Sequence, residues 1–435
     1  MKTYAITTFG CQMNLADSEL IAGELENFGY TKAGENDNPD IIVLNTCAIR
    51  DSAEQKILGK IGELKKWKKA NPNSIVAVGG CMTAQPKVAE YVAKTYPFID
   101  IVFGTENLSD FSDMFKKFLL TRKRQIQTNF VHKTNAQRNQ IRERKINAWV
   151  NIMHGCNNFC SYCIVPYVRG REESRDKNEI INEVKNLVKS GYKQITLLGQ
   201  NVNSYGNDNP QIFGNFSGLL LELDKIEGDF RIRFMSSHPK DLSEELIKTI
   251  ASSKHICHGI HLPVQSGSTK VLIAMNRKYT REDYIKKVKM IRSILPDCEI
   301  TSDVIVGFPG ETEEDFNETI TLAQQVKFIS LFMFVYSRRK GTVADTMEQI
   351  DELTKKDRIK RLISAENKIA TEVAKNMVGK TLRLLIEGYD EKAKAYVGMT
   401  DSAKAVFVYS NENIIGKFVN ATISKNVGSK LYAQN

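Results

Sequence analysis

No apolar run in the 435 residues reaches the roughly 18–20 that a membrane-spanning helix needs, so no span of that kind is expected. The opening Met1-Lys2-Thr3-Tyr4-Ala5-Ile6 meets Gln12, Asn14, Asp17 and Glu19 too early to hold a signal peptide's apolar region, and a cytoplasmic location is the expectation. Internal repeats and low-complexity tracts are absent, and 42% hydrophobic against 26% charged residues gives no bias to disorder. The two tryptophans, Trp67 and Trp149, carry no functional signal. Acidic residues are scarce in one place. Between Lys116 and Lys145 only Glu143 opposes Lys116, Lys117, Arg122, Lys123, Arg124, Lys133, Arg138, Arg142, Arg144 and Lys145.

What is present is charge, alternation and cysteine. The net charge of +10 favours a polyanionic partner, because each neutralised phosphate releases counterions; a well-solvated basic surface is the other reading. Eight cysteines in a long chain without secretory features point away from a disulfide framework and toward metal or redox chemistry.

The fold class read from the pattern is α/β, in three folded regions. Over residues 1–120 the β-branched runs Tyr4–Thr8, Ile41–Leu44, Ile75–Val78 and Ile101–Phe103 each lead through a small or polar turn into a helical stretch, the pattern of a parallel sheet. Residues 121–145 read as a basic linker, either solvated or bound to phosphate, with Arg142, Arg144 and Lys145 as candidate RNA contacts. Residues 146–377 again alternate, with candidate strands Ala148–Met153, Ile195–Leu198, Arg231–Met235, Gly259–Leu262, Glu299–Val306 and Ile329–Tyr336. Six such units are too few for the closed eight-fold barrel and suit a partial (βα)6 barrel. A helix is expected over about 355–377. Residues 378–435 change period: Leu382–Ile386, Ala395–Gly398, Ala405–Val408 and Phe418–Ile423 read as short strands of a small all-β barrel.

The cysteines fall in phase with this alternation. Cys11, Cys47 and Cys81 each lie just beyond a candidate strand of the first region, where α/β folds place ligands, so three thiolates can converge on one object. Cys156, Cys160 and Cys163 share one loop after the first strand of the second region and can hold three irons of a 4Fe–4S cube, leaving the fourth iron open. A zinc site is the competing reading, with His154 available as a fourth ligand. Cys257 and Cys298 fit neither set and read as small buried hydrophobes. His238, His255, His258 and His261 surround strand ends with no evident carboxylate partner and read as polar packing.

The spacing Cys156-Asn157-Asn158-Phe159-Cys160-Ser161-Tyr162-Cys163 resembles the CxxxCxxC signature of the radical S-adenosylmethionine (SAM) superfamily. With the second cysteine set and the C-terminal β module, the whole chain resembles the radical SAM methylthiotransferases. Arg169-Gly170-Arg171-Glu172-Glu173-Ser174-Arg175 and Leu198-Gly199-Gln200-Asn201-Val202-Asn203-Ser204-Tyr205-Gly206 are similar to the branch that modifies isopentenyladenosine in tRNA.

The resemblance implies an auxiliary 4Fe–4S cluster on Cys11, Cys47 and Cys81, a radical SAM cluster on Cys156, Cys160 and Cys163, and a C-terminal RNA-binding TRAM domain. SAM would be used twice, once to methylate a sulfide and once to generate a 5′-deoxyadenosyl radical that takes hydrogen from carbon 2 of adenosine. Tyr162 is the expected neighbour of the SAM adenine, with Gln200, Ser236 and Gln265 as further contacts, and Asp303–Glu311 resembles the superfamily's later SAM-contact strand. The implied partners are a tRNA anticodon stem-loop, an electron donor such as flavodoxin or ferredoxin, and a sulfur or cluster donor. The alternatives are a methylthiotransferase for threonylcarbamoyl-adenosine and a non-catalytic RNA-binding iron–sulfur redox sensor.

Overall fold

A computed structural model describes residues 1–34, 37–48, 51–128, 140–142 and 144–434. Lys133, Arg138 and Glu143 of the basic stretch lie outside the described residues.

The first sheet comprises β1 (Lys2–Thr8), β2 (Tyr30–Lys32), β3 (Ile41–Thr46), β4 (Ile75–Gly80), β5 (Ile101–Phe103) and β6 (Gln125–Gln127), in the order β2-β1-β3-β4-β5-β6, and every pairing is parallel. Helices cover both faces. Ile41, Val43, Ile75 and Ala77 pack into one core and Leu44, Val76, Val78 and Val102 into the other, which is why these strands read as unbroken apolar runs. Two edge strands escape the sequence pattern. Tyr30–Lys32 has one buried residue in three, and Gln125–Gln127 is mostly polar. The second lies within the stretch expected to be a linker. Arg124 before it donates to the Ala93, Tyr96 and Ile99 carbonyls, so this cation is a structural bracket.

The second region holds β7 (Asn147–Asn151), β8 (Met153–His154), β9 (Glu173–Ser174), β10 (Gln194–Leu198), β11 (Arg231–Phe234), β12 (Gly259–His261), β13 (Glu299–Val306) and β14 (Ser330–Val335). Two three-stranded parallel sheets, β11-β10-β7 and β12-β13-β14, meet through a parallel bridge between Ile232 and Ile256 and share one core. The six expected strands form the partial barrel. The short antiparallel pair β8–β9 flanks the central cysteine loop.

Helix Glu352–Lys375 leads to β15 (Thr381–Asp390), β16 (Ala395–Met399), β17 (Ala405–Tyr409), β18 (Phe418–Val427) and β19 (Lys430–Gln434), which close into a barrel in the order β15-β16-β17-β19-β18. The closing strand β19 was not among the four expected. Its Leu431 and Ala433 point inward beside Leu384, Val406 and Ile423.

Candidate active site

β1, β3 and β4 are neighbours, spaced about 4.8 Å apart, so their carboxyl ends bring Cys11, Cys47 and Cys81 to one rim. Cys11 is the N-cap residue that opens helix Gln12–Asn27. Asn14 on that helix donates to the Thr46 carbonyl at 2.9 Å, and Asn45 donates back to the Asn14 carbonyl at 2.7 Å, locking two of the cysteine-bearing turns together. Gly80 precedes Cys81 with φ of 106°, and a Cβ there would meet the Thr46 carbonyl at 2.5 Å. Only glycine fits. Burial pushes the Cys81 thiol up to about 11, with Cys11 and Cys47 among the charges that act on it and Arg169 opposing.

The second set sits at the carboxyl end of β7. Gly155 opens the loop at φ of 73°, where a Cβ would collide with the Arg171 carbonyl. Asn276 donates to the Phe159 carbonyl at 2.9 Å, Ser161 donates to the Ala274 carbonyl at 2.6 Å, and Lys240 reaches Asn158 at 2.8 Å. Burial raises the Cys156 thiol to about 11 and that of Cys163 to about 12. These protons must leave for the sulfurs to act as ligands.

The first set lies against the segment that follows the second, across a domain boundary. Cys81, Ala48 and Ala84 pack with Ile164 and Val168, which follow Cys163 directly. Arg169 crosses the same boundary to Asp17 at 2.7 Å.

Three sulfurs without a fourth protein ligand fit a four-iron cube with one open iron. Among the described residues no three His, Cys, Asp or Glu side chains close around one ion-sized centre, the arrangement a closed zinc site needs. His154 is engaged elsewhere, with Nε2 3.1 Å from Glu173.

A cavity of about 990 Å³ opens beside the central loop. Tyr162, Cys163, Gln265, Asp303, Met333, Val335, Ile350 and Lys355 are among its lining. Gln200 and Ser236 are not; they close the ends of β10 and β11, where Val202 N–H donates to the Ser236 carbonyl at 3.2 Å. Ser236 and Gln265 hold φ values of 64° and 70°, the sparsely populated backbone that gathers at functional sites. Along these strand ends Asn151 Oδ1, Gln200 Oε1, Asn201 Oδ1, Ser237 Oγ and His238 Nε2 are buried without a protein partner among the described residues. Such orphaned atoms fit a polar cofactor of the size and kind of SAM.

Two expectations are corrected. Arg142 does not stand ready for phosphate. Its guanidinium donates to the Trp149 carbonyl and to Glu183, both at 2.6 Å, with Glu19 at 3.7 Å, so it ties helix Gln12–Asn27 to the partial barrel. Arg144 and Lys145 are exposed, Arg144 lying 4.8 Å over the Trp149 ring. The histidines do have carboxylate neighbours: His258 lies 2.8 Å from Asp297 and His261 3.5 Å from Asp303. They remain pairwise contacts.

Sequence reasoning missed Arg277, whose Nη1 donates to Cys160 Sγ at 3.3 Å, and the Arg169–Asp17 pair. Arg277 belongs to no motif or periodic face, and Arg169, though it opens the run Arg169–Arg175, gives no sign in the sequence of its partner Asp17. Only the fold brings them to the sulfurs.

A partial parallel barrel with CxxxCxxC at the carboxyl end of its first strand defines a radical SAM enzyme. Residues 150–323 match the Radical SAM superfamily, residues 3–104 the uncharacterized protein family UPF0004 and residues 375–433 the TRAM domain. The chain is 47% identical to the tRNA-2-methylthio-N(6)-dimethylallyladenosine synthase of Clostridium tetani, covering 99% of this chain and 95% of that protein. It is 46% identical to the protein of that name from Natranaerobius thermophilus, covering 100% and 96%. The chain belongs to the tRNA-2-methylthio-N(6)-dimethylallyladenosine synthase family. Membership brings SAM and a 4Fe–4S cluster as cofactors. Among solved structures, the radical SAM methyltransferase TsrM of Kitasatospora setae superposes with a TM-score of 0.57 at 12% identity, over 91% of this chain and 80% of that one, a likeness of fold.

Proposed function

We propose that the chain transfers a methylthio group to carbon 2 of N(6)-isopentenyladenosine beside the anticodon of tRNA. The observation that carries this reading is the pair of cysteine sets, each at the carboxyl end of a parallel sheet, with Cys81 of the first packed against Ile164 and Val168 just after the second. Cys156, Cys160 and Cys163 would hold the radical SAM cluster, and Cys11, Cys47 and Cys81 an auxiliary cluster. When bound, the first supplies the electron that cleaves SAM to methionine and a 5′-deoxyadenosyl radical, and the second supplies the sulfur.

The protein's own part is placement. Carbon 2 of adenosine bears an unactivated C–H that no side-chain base removes usefully, so radical abstraction fits. The buried loop hydrogen bonds fix the sulfurs, and Tyr162 and Gln265 border the cavity where SAM and the base would meet. Met333, Val335 and Ile350 give that cavity an apolar wall suited to an isopentenyl tail, while Arg338, paired with Asp345 through Nε and 63% exposed, borders its mouth. The base must leave the anticodon-loop stack to enter, as single-stranded bases readily do. Arg144, Lys145 and the C-terminal barrel would hold the stem-loop. A one-electron donor such as flavodoxin or ferredoxin and a sulfur or cluster donor complete the partners.

The test is an anaerobic reaction of the reconstituted protein with an isopentenylated anticodon stem-loop, SAM and a reductant, read by nucleoside mass spectrometry. The 2-methylthio product is expected, and none should form when the RNA lacks the isopentenyl group.

A further inference from the structure

We infer that Arg277 is a positioning residue that sets the redox poise of the cluster held by Cys156, Cys160 and Cys163. The inference rests on the reading that these cysteines hold such a cluster. Arg277 is 4% exposed, and among the described residues no carboxylate pairs with it. Its Nε donates to Tyr279 Oη at 2.9 Å and its Nη2 to the Pro263 carbonyl at 3.0 Å. Its Nη1 donates to Cys160 Sγ at 3.3 Å, with Tyr162 Oη at 3.5 Å. These donors are committed, so the side chain is built into the loop and not held out to a small molecule. A guanidinium buried without a carboxylate is costly unless something else supplies negative charge. The Cys160 thiolate, and with it the net negative cluster it would hold, is the only anionic partner this geometry offers among the described residues.

Arg169 shows the contrast. It too is buried, at 7% exposure, and it acts on Cys81 and Cys11. Asp17 neutralises it at 2.7 Å. The first cysteine set therefore meets a neutral ion pair and the second a net positive charge with an N–H···S hydrogen bond. Net charge and hydrogen bonds to the sulfurs set iron–sulfur potentials, and both features stabilise the reduced, more negative state. The cluster at Cys160 accepts an electron from a one-electron donor at a less negative potential than it would without Arg277. Charge is thus steered to the side where SAM is cleaved.

The experiment is an EPR-monitored redox titration of the full-length, anaerobically reconstituted chain, in a Cys11→Ala/Cys47→Ala/Cys81→Ala background that isolates the central cluster. Arg277→Met should shift its midpoint to a more negative value by at least tenfold in the reduced-to-oxidised ratio, about 59 mV for one electron. Arg277→Lys, which keeps the charge, should shift it less. A midpoint unchanged in the Met variant overturns the inference. Should that variant lose its iron, the unsubstituted chain labelled with 15N-arginine answers instead. Its reduced cluster should show hyperfine coupling to a guanidinium nitrogen, and the absence of coupling overturns the inference. No cluster signal at all in the isolating background would count against the underlying cysteine assignment itself.

Discussion

Arg231, at the amino end of β11, donates from Nη1 to the Met399 carbonyl at 3.0 Å and so fastens the C-terminal barrel to the partial barrel. The turn after β16 plugs the amino ends of three strands. Asp401 accepts from His258 N–H at 2.9 Å, Thr400 donates to Glu299 at 2.7 Å, and a Cβ on Gly259 would meet the Asp401 carbonyl at 2.6 Å. Both cysteine sets lie at the other end of their sheets, where α/β folds carry chemistry. Arg231→Ala should therefore lower stability by about 2 kcal/mol in chemical denaturation, the scale of lost hydrogen bonds from a charged donor to Met399 and Gln194, while leaving cluster content unchanged. A stable variant with lost iron would contradict this division of the molecule.

Arg142 and Lys145 make a contrasting pair. Arg142→Ala should cost about 2 kcal/mol of stability, because the Trp149 carbonyl and Glu183 lose a charged donor, Glu183 keeping Arg175 at 2.8 Å. Lys145→Ala should leave the melting temperature in place and make the log–log salt dependence of stem-loop binding shallower by about 0.9 or less, one phosphate contact at most. Its effect should be the same for modified and unmodified loops, since phosphate contacts position and do not read. Titration at several salt concentrations, with thermal melts alongside, checks both.

The architecture and the placement of six cysteines in two sets beyond strand ends were legible because each signal was periodic or repeated. Buried parallel strands such as Ile75–Gly80 declare themselves as apolar runs, and three cysteines repeat one phase beyond them. Edge strands Tyr30–Lys32 and Gln125–Gln127 carry no such signal, since little of them is buried. Nor could the sequence separate Arg142 from Lys145. Both sit in one basic stretch, and only the packing of helix Gln12–Asn27 against β7 turns the first inward. Arg277 was illegible for the same reason: its partners Cys160 and Pro263 lie 117 and 14 residues away.

Glu366 on helix Glu352–Lys375 gives a pH signature. Burial pushes its carboxyl up to about 7, against a hydrogen bond from the Leu331 backbone and the charge of Lys404. A raised carboxyl favours the protonated fold. Its contribution is full below the unfolded value near ~4.3 and is lost as pH rises through about 7. Glu366→Gln should therefore be more stable than the parent at pH 8 by on the order of 2 kcal/mol, with the difference vanishing near pH 4. Equal stabilities at both pH values would show that the carboxyl is not held in this way. Denaturant unfolding across that window measures it.

The two cysteine sets should separate by substitution. Cys156→Ala/Cys160→Ala/Cys163→Ala should roughly halve bound iron and abolish SAM cleavage. Cys11→Ala/Cys47→Ala/Cys81→Ala should still cleave SAM and transfer no methylthio group. Iron analysis and quantification of 5′-deoxyadenosine distinguish the two.

The most direct measurement is nucleoside analysis of tRNA from cells that lack the protein and then regain it. Restored protein should convert N(6)-isopentenyladenosine to its 2-methylthio form, and the Cys11→Ala/Cys47→Ala/Cys81→Ala variant should leave the unmodified nucleoside to accumulate. A methylthio group appearing on threonylcarbamoyl-adenosine instead, or full product from that variant, would contradict the account.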